Sequence, residues 1–191
     1  MKKIIVTLVT AITLSGCASA VRQHSLIDKK YSEIAIAAKE VAALTAIQRG
    51  QSVNIKVGDS SPSINYGKAV GKFESVEVSP TSASNFRITI AGICDCLGFR
   101  KWSAVPITYL LNDHGDVIAE GTFATPNTQL LTGKFPVAGK YKIFIVADST
   151  TKGRYLSDVS GLVIYSGLPI APFSIPMRSH PTGVIQVGWN D

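Results

Sequence analysis

The sequence is poor in the groups that enzymes use. Its 191 residues include 3 histidines, 13 acidic residues and 3 cysteines. His24, His114 and His180 stand far apart, and none lies in a nucleophile motif. A hydrolase needs its nucleophile activated by a neighbouring base. The stretches "YSGLP" and "VSGLV" lack the G-x-S-x-G elbow. The H-E-x-x-H, P-loop and G-x-G-x-x-G motifs do not occur. The carboxylates are isolated, so no glycosidase-type pair can be named. The expectation is a non-enzymatic protein with no catalytic residue, no cofactor and no metal site.

Charge is equally uninformative about a polyanionic partner. The net charge is +6, and Lys2 and Lys3 at the start supply two of the positive charges. Beyond them, Lys29-Lys30 and Arg100-Lys101 are the only close basic pairs. No basic stripe with interleaved aromatics is present, which argues against nucleic acid as a partner.

The N-terminus carries the clearest signal. Lys2 and Lys3 precede an apolar run from Ile4 to Leu14, broken only by threonines. A spanning helix needs about 20 apolar residues, so this run has the layout of a secretory leader instead. Leu14-Ser15-Gly16-Cys17 resembles the bacterial lipobox, in which the cysteine is acylated and becomes the first mature residue. On that resemblance residues 1–16 are the leader and Cys17 is the lipidation site. Residues 17–26 are then a tether. An ordinary leader cut after Ala18 or Ala20 is the alternative, since "ASA" is also a small-residue site. Each buried methylene of an acyl chain contributes about 0.8 kcal/mol, so several chains hold a protein firmly to a membrane it does not cross. Ala18 follows the cysteine, where an aspartate would suggest retention in the inner membrane. The expected location is therefore the periplasmic face of the outer membrane.

The mature chain fits one domain. Tyr31, Ile34, Ala35, Ala38, Val41, Ala42 and Ala46 recur at three- and four-residue steps. This spacing predicts an amphipathic helix over 27–49, capped by Ser25 or Asp28 and ended by Gly50. From residue 50 the period becomes two. "SVNIKV", "FESVEV", "FRITIAGI", "PITYLL", "KYKIFIVA" and "GVIQVGW" alternate apolar and polar residues between Gly, Pro, Asn and Ser. Such short runs predict an antiparallel β-sandwich over 50–191. The fold class expected is thus mainly β, with one N-terminal helix. Residues 166–182 hold four prolines; they are expected to form a surface connection, because proline cannot donate to a sheet ladder. "NDHGDV" is oxygen-rich, but its place between two β-like runs favours a hairpin turn over a calcium loop.

Binding residues are harder to nominate. Trp102 and Trp189, with Phe99, Tyr109, Tyr155 and Phe173, can offer flat apolar faces for sugar stacking, or else belong to the core. Alternation places Tyr109 and Phe123 inside, whereas Trp102 lies beside Arg100-Lys101 near a strand start. Trp102 is the better surface candidate.

The order of "VPITYLLNDHGDVIAEGTF", "FPVAGKYKIFIVADSTTKGRYLSD" and "RSHPTGVIQVGW" resembles the family of the maltose-operon periplasmic protein, over most of 30–189. That resemblance implies a periplasmic role associated with maltose and maltodextrin transport, and it supplies no catalytic residue. The chain departs from the family in its lipobox and in the pair Cys94 and Cys96. Its strand turn also resembles the small β-sandwich domains appended to secreted proteases. The function expected is binding an oligosaccharide or an envelope protein. The competing expectation is a structural or assembly accessory of an envelope or secretion complex.

If Cys17 is acylated, Cys94 and Cys96 are the two remaining thiols, in a compartment where disulfides persist. Along a strand their Cα atoms would lie about 6.6 Å apart, at the long end of what a disulfide bridges. A Cys94–Cys96 bond therefore requires the strand to break at Asp95. Two buried or reduced thiols are the alternative.

Overall fold

Alternation with period two dominates the computed structural model, which describes residues 32–39, 41–96, 101–165 and 168–190. The leader, Cys17, the tether and residues 27–31 of the expected helix lie outside the described residues. Fourteen strands follow a short helix at 32–39. They are β1 (Thr45–Ile47), β2 (Ser52–Val57), β3 (Ser63–Tyr66), β4 (Ala69–Val78), β5 (Ser84–Ile93), β6 (Lys101–Ala104) and β7 (Pro106–Leu111). The remainder are β8 (Val117–Glu120), β9 (Thr122–Thr125), β10 (Thr128–Phe135), β11 (Tyr141–Asp148), β12 (Tyr155–Tyr165), β13 (Leu168–His180) and β14 (Gly183–Asn190).

Two sheets make the sandwich. One has the order β1-β4-β11-β7-β8, with β3 also paired to β4; the other has the order β2-β14-β5-β10-β9. Val76, Val78, Ile143 and Ile145 of the first sheet meet Ile88, Ile90, Phe135, Ile185 and Val187 of the second in one buried core. Each of these strands turns every second side chain inward, as a sheet with one face in the core must. β4 and β11 depart from this, buried without a break from Phe73 to Val76 and from Ile143 to Asp148. Their outward side chains are covered too: Phe144 stacks at 4.5 Å on Phe73.

The end of the helix meets the same outward face. Lys142, on the outward parity of β11, donates from Nζ to the carbonyls of Ala38 and Val41. Burial lowers the Lys142 pKa below its ordinary value, against an opposing pull from Glu77. A cation at carbonyls near a helix C-terminus satisfies acceptors that the helix leaves open. The helix is shorter than its periodicity predicts. Residues 41–44 are not helical, and Thr45–Ile47 forms a strand parallel to β4, with Thr45 opposite Val76 and Ile47 opposite Val78. The β-branched Thr45 and Ile47 gain a sheet edge there, and local helix propensity yields to tertiary pairing. The sheet region accordingly begins before residue 50.

The proline-rich segment also differs from the expectation of a surface connection. Leu168–His180 is a strand, paired antiparallel to β12 and, over Met177–His180, parallel to β6. Together these form a third sheet, β12-β13-β6. Pro172 and Pro176 stand opposite Leu162 and Asp158, an even number of steps apart. A bulge between Val163 and Ile164 shifts the register by one and brings Pro169 opposite Ile164, in the same phase. All three prolines thus share one ladder phase, so their missing N–H groups fall on one side of the strand, and all precede the stretch paired with β6. A strand tolerates proline where its ladder does not need the N–H.

"NDHGDV" forms the turn between β7 and β8. Asp116 donates its amide to Asn112 Oδ1 at 2.8 Å, and Asn112 Nδ2 donates to Asp116 Oδ2 at 2.9 Å. "DVIAEGTF" divides at Gly121 into β8 and β9, which belong to different sheets. Gln129 ties the sheets at this corner: its Oε1 accepts from the amide and hydroxyl of Thr108 at 2.9 and 2.8 Å.

Candidate functional site

β5 ends at Ile93, and the next three residues fold back. Cys94 and Cys96 are joined by a disulfide, with their Cα atoms 5.2 Å apart. Asp95 between them makes an isolated antiparallel bridge to Trp102 at the start of β6. Its amide donates to the Trp102 carbonyl at 2.7 Å, and the Trp102 amide donates back at 3.3 Å. Lys101 is buried, and its ammonium donates to the Cys96 carbonyl. The short cysteine loop therefore presents Asp95 to Trp102 and fixes the backbone from which the indole projects.

Gly92 sets the distance between β5 and β6. Its amide donates to the Asn127 carbonyl at 2.8 Å, and its carbonyl accepts from Asn127 Nδ2 at 3.0 Å. The same Nδ2 lies 3.2 Å from Ser103 Oγ. Asn127, in the turn between β9 and β10, thus ties the end of β5 to β6.

Trp102 is half-buried and faces a cleft of about 470 Å³. Its ring centroid is 5.6 Å from that of His180, at an interplanar angle of 60°. His180 Nδ1 is held 3.0 Å from the Thr182 hydroxyl. Lys56, Asp95 and Ser103 complete the polar lining. Ser103 Oγ also donates to the Ala104 carbonyl at 3.3 Å. The cleft combines one aromatic face with a cation, a carboxylate, an imidazole and hydroxyls. Such a lining suits a ligand with flat apolar faces and many hydroxyls.

The other sequence candidates separate. Trp189 is no part of a binding surface: it is 3 % exposed, and its ring lies 5.5 Å from Phe135 in the core. Its parity with Ile185 and Val187 on β14 turns it inward. Tyr109 is buried as expected, though opposite Phe144 on the outward face of its sheet and not in the shared core, while Phe123 is 54 % exposed, against the expectation. All four residues of β9 are exposed because this short strand forms the edge of its sheet. Tyr155 and Phe173 are exposed on β12 and β13. Phe99 lies outside the described residues.

Sequence reasoning missed a second cavity, of about 410 Å³, at the opposite end of the Val105 region. Val105, Ile107, Leu156 and Phe123 wall it, and Asp148 and Arg154 reach it from the end of β11 and the start of β12. The exposed aromatic on a four-residue edge strand was the available signal. Nothing in the spacing of Asp148 and Arg154 announces their convergence.

No protein-family model matches the chain, and no curated protein matches it. Among solved structures it is similar to the pre-peptidase C-terminal domain of collagenase from Bacillus anthracis, with 11 % identity and a TM-score of 0.40. That match covers 78 % of this chain and 96 % of the other. A β-glucosidase from Paenibacillus barengoltzii matches at 13 % identity and TM-score 0.27, over 75 % of this chain and 11 % of the enzyme. PliG, a periplasmic inhibitor of g-type lysozyme from Salmonella Typhimurium, matches at 8 % identity and TM-score 0.23, over 76 % of this chain and 98 % of the other.

Proposed function

We propose that this chain is a non-enzymatic outer-membrane lipoprotein, anchored through acylated Cys17 and facing the periplasm, whose Trp102 cleft binds an oligosaccharide. The observation that carries the reading is Trp102 itself: an indole held by the Asp95 bridge over a cleft that also offers Lys56, Asp95, His180 and Thr182. Stacking on a ring face with hydrogen bonds at its rim is how a protein holds a sugar without reacting with it. The choice of an α-glucan rests on the sequence resemblance over 30–189.

Maltoheptaose titration followed by tryptophan fluorescence tests this. Trp189 is enclosed in the core, so the response is expected from Trp102, saturable, and absent in Trp102→Phe. Trp102→Ala should weaken binding roughly 2- to 12-fold, the equivalent of about 0.5–1.5 kcal/mol for a ring contact. A flat response at millimolar sugar removes the reading. For the anchor, Cys17→Ser is expected to move the protein from the membrane fraction to the soluble one; unchanged membrane association defeats it.

A further inference from the structure

We propose that the cavity between β7, β9 and the β11–β12 turn is a second binding site, for a free apolar α-amino acid. The argument starts from two charges that share a cavity without pairing. Asp148 is 5 % exposed. Its Oδ1 accepts from the amide and hydroxyl of Thr150 at 2.8 and 2.7 Å, and its Oδ2 has no partner among the described residues. Arg154 lines the same space, and its guanidinium makes no hydrogen bond or ion pair among the described residues. The backbone of both is fixed: the Asp148 amide donates to the Val105 carbonyl at 2.8 Å, and the Arg154 amide donates to the Thr151 carbonyl at 2.9 Å and to Ser179 Oγ at 3.0 Å. The Thr151 hydroxyl, from the turn between them, is buried with no partner among the described residues.

A buried carboxylate with an unused oxygen favours a ligand cation, and a free guanidinium favours a ligand carboxylate. A ligand carrying both, one carbon apart, satisfies the two at once. Most of the remaining wall is apolar, from Val105, Ile107, Phe123, Pro126 and Leu156, with the side chains of Thr125 and Thr151 as its other polar groups, which calls for a mainly apolar body. An oligosaccharide fits this cavity less well, because most of its hydroxyls would meet the apolar groups that make up the greater part of the wall. The volume, about 410 Å³, lies at the small end of ligand pockets, which run from about 300 to 1,000 Å³. It suits a single amino acid. In this arrangement the α-carboxylate meets Arg154, the α-ammonium meets Asp148, and the side chain lies against Leu156 under the Phe123 ring. The site is separate from the Trp102 cleft and does not depend on sugar binding there.

Calorimetric titration of the full chain in detergent with L-leucine tests the assignment, with 4-methylvalerate, 3-methylbutylamine and N-acetyl-L-leucine as ligands that each lack one charge. Saturable binding of leucine is expected, with each of the three at least about tenfold weaker. Arg154→Gln should weaken leucine by a similar factor without moving the thermal midpoint, because the side chain is exposed, and should leave the maltoheptaose response unchanged. No saturation by about 10 mM leucine, equal affinity for the one-charge ligands, or an unchanged affinity in Arg154→Gln overturns the proposal. N-acetyl-L-leucine binding as tightly as leucine would identify a peptide C-terminus as the ligand and overturn the free amino acid. The one-charge series needs no variant, so it decides the matter even if a substitution disturbs folding.

Discussion

Phe135→Ala is expected to remove about 3–5 kcal/mol of stability, the range for deleting a fully buried aromatic ring. Phe135 has no exposed surface. Its ring lies 4.5 Å from Phe86, 4.7 Å from Tyr141 and 5.5 Å from Trp189. These partners come from β5, β11 and β14, so one side chain on β10 joins strands of both sheets. The alanine would leave a space whose walls are held by sheet ladders and cannot close fully, and aromatic packing beyond the buried area would be lost as well. Single domains have about 5–15 kcal/mol in all, so this change alone approaches the threshold of unfolding. Urea denaturation measures it. Phe123→Ala is the matched control: its ring is exposed, and its loss should shift stability by no more than about 0.5 kcal/mol. A Phe135→Ala cost below about 1 kcal/mol would mean that the two sheets are not held together through this ring.

The contrast between Phe135 and Phe123 also shows what could be read from the residues. Alternation in "FRITIAGI" and "GVIQVGW" points to a sheet with one face in the core because each of these strands has one wetter face. It fails where a strand has two dry faces or two wet ones. β11 is buried on both faces from Ile143 to Asp148, with Phe73 against Phe144 on the outward one, while every residue of the edge strand β9 is exposed. Whether a strand is central or on an edge depends on topology, which period two does not encode. The helix was over-extended because alanines at helical spacing continue through Ala42 and Ala46, while the pairing of Thr45–Ile47 with β4 lies about thirty residues away. Prolines at 169, 172 and 176 read as a loop by composition. In fact they share a ladder phase, and only the position of the bulge in β12–β13 reveals it.

The candidate site was legible to a smaller degree. Trp102 stands out as a tryptophan beside a basic pair at a strand start. Its cleft partners His180 and Lys56 come from sequence segments far from it, and no local pattern joins them. The cysteine pair acquires its meaning in the same way. Within the sequence Cys94 and Cys96 bracket one aspartate; in the fold that aspartate is the backbone partner of Trp102. The disulfide follows the end of β5, and its Cys94 lines the candidate cleft.

Gly92→Ala is expected to disable the cleft without replacing any residue that lines it. A Cβ on Gly92 would run into the Ala104 carbonyl oxygen and come within 2.6 Å of Ser103 Oγ. The first obstacle is backbone, so no rotamer change relieves it; β6 must move away from β5. That movement stretches the Asn127 clamp, whose Nδ2 serves both the Gly92 carbonyl and Ser103. It also separates Trp102 from Asp95 and disturbs β13, which pairs with β6 over Met177–His180. Overpacking of this kind costs about 1–3 kcal/mol, less than the Phe135 change, so the protein should stay folded while its site is displaced. The expected signature is a shift in Trp102 emission together with a loss of maltoheptaose response at least as large as in Trp102→Ala. Gly58→Ala is the control: a Cβ there meets nothing nearer than Lys56 Cε at 3.9 Å, and both stability and binding should be unchanged. Retained stability, emission and affinity in Gly92→Ala would show that Trp102 is positioned by the Cys94–Cys96 loop alone and not by the close approach of β5 to β6.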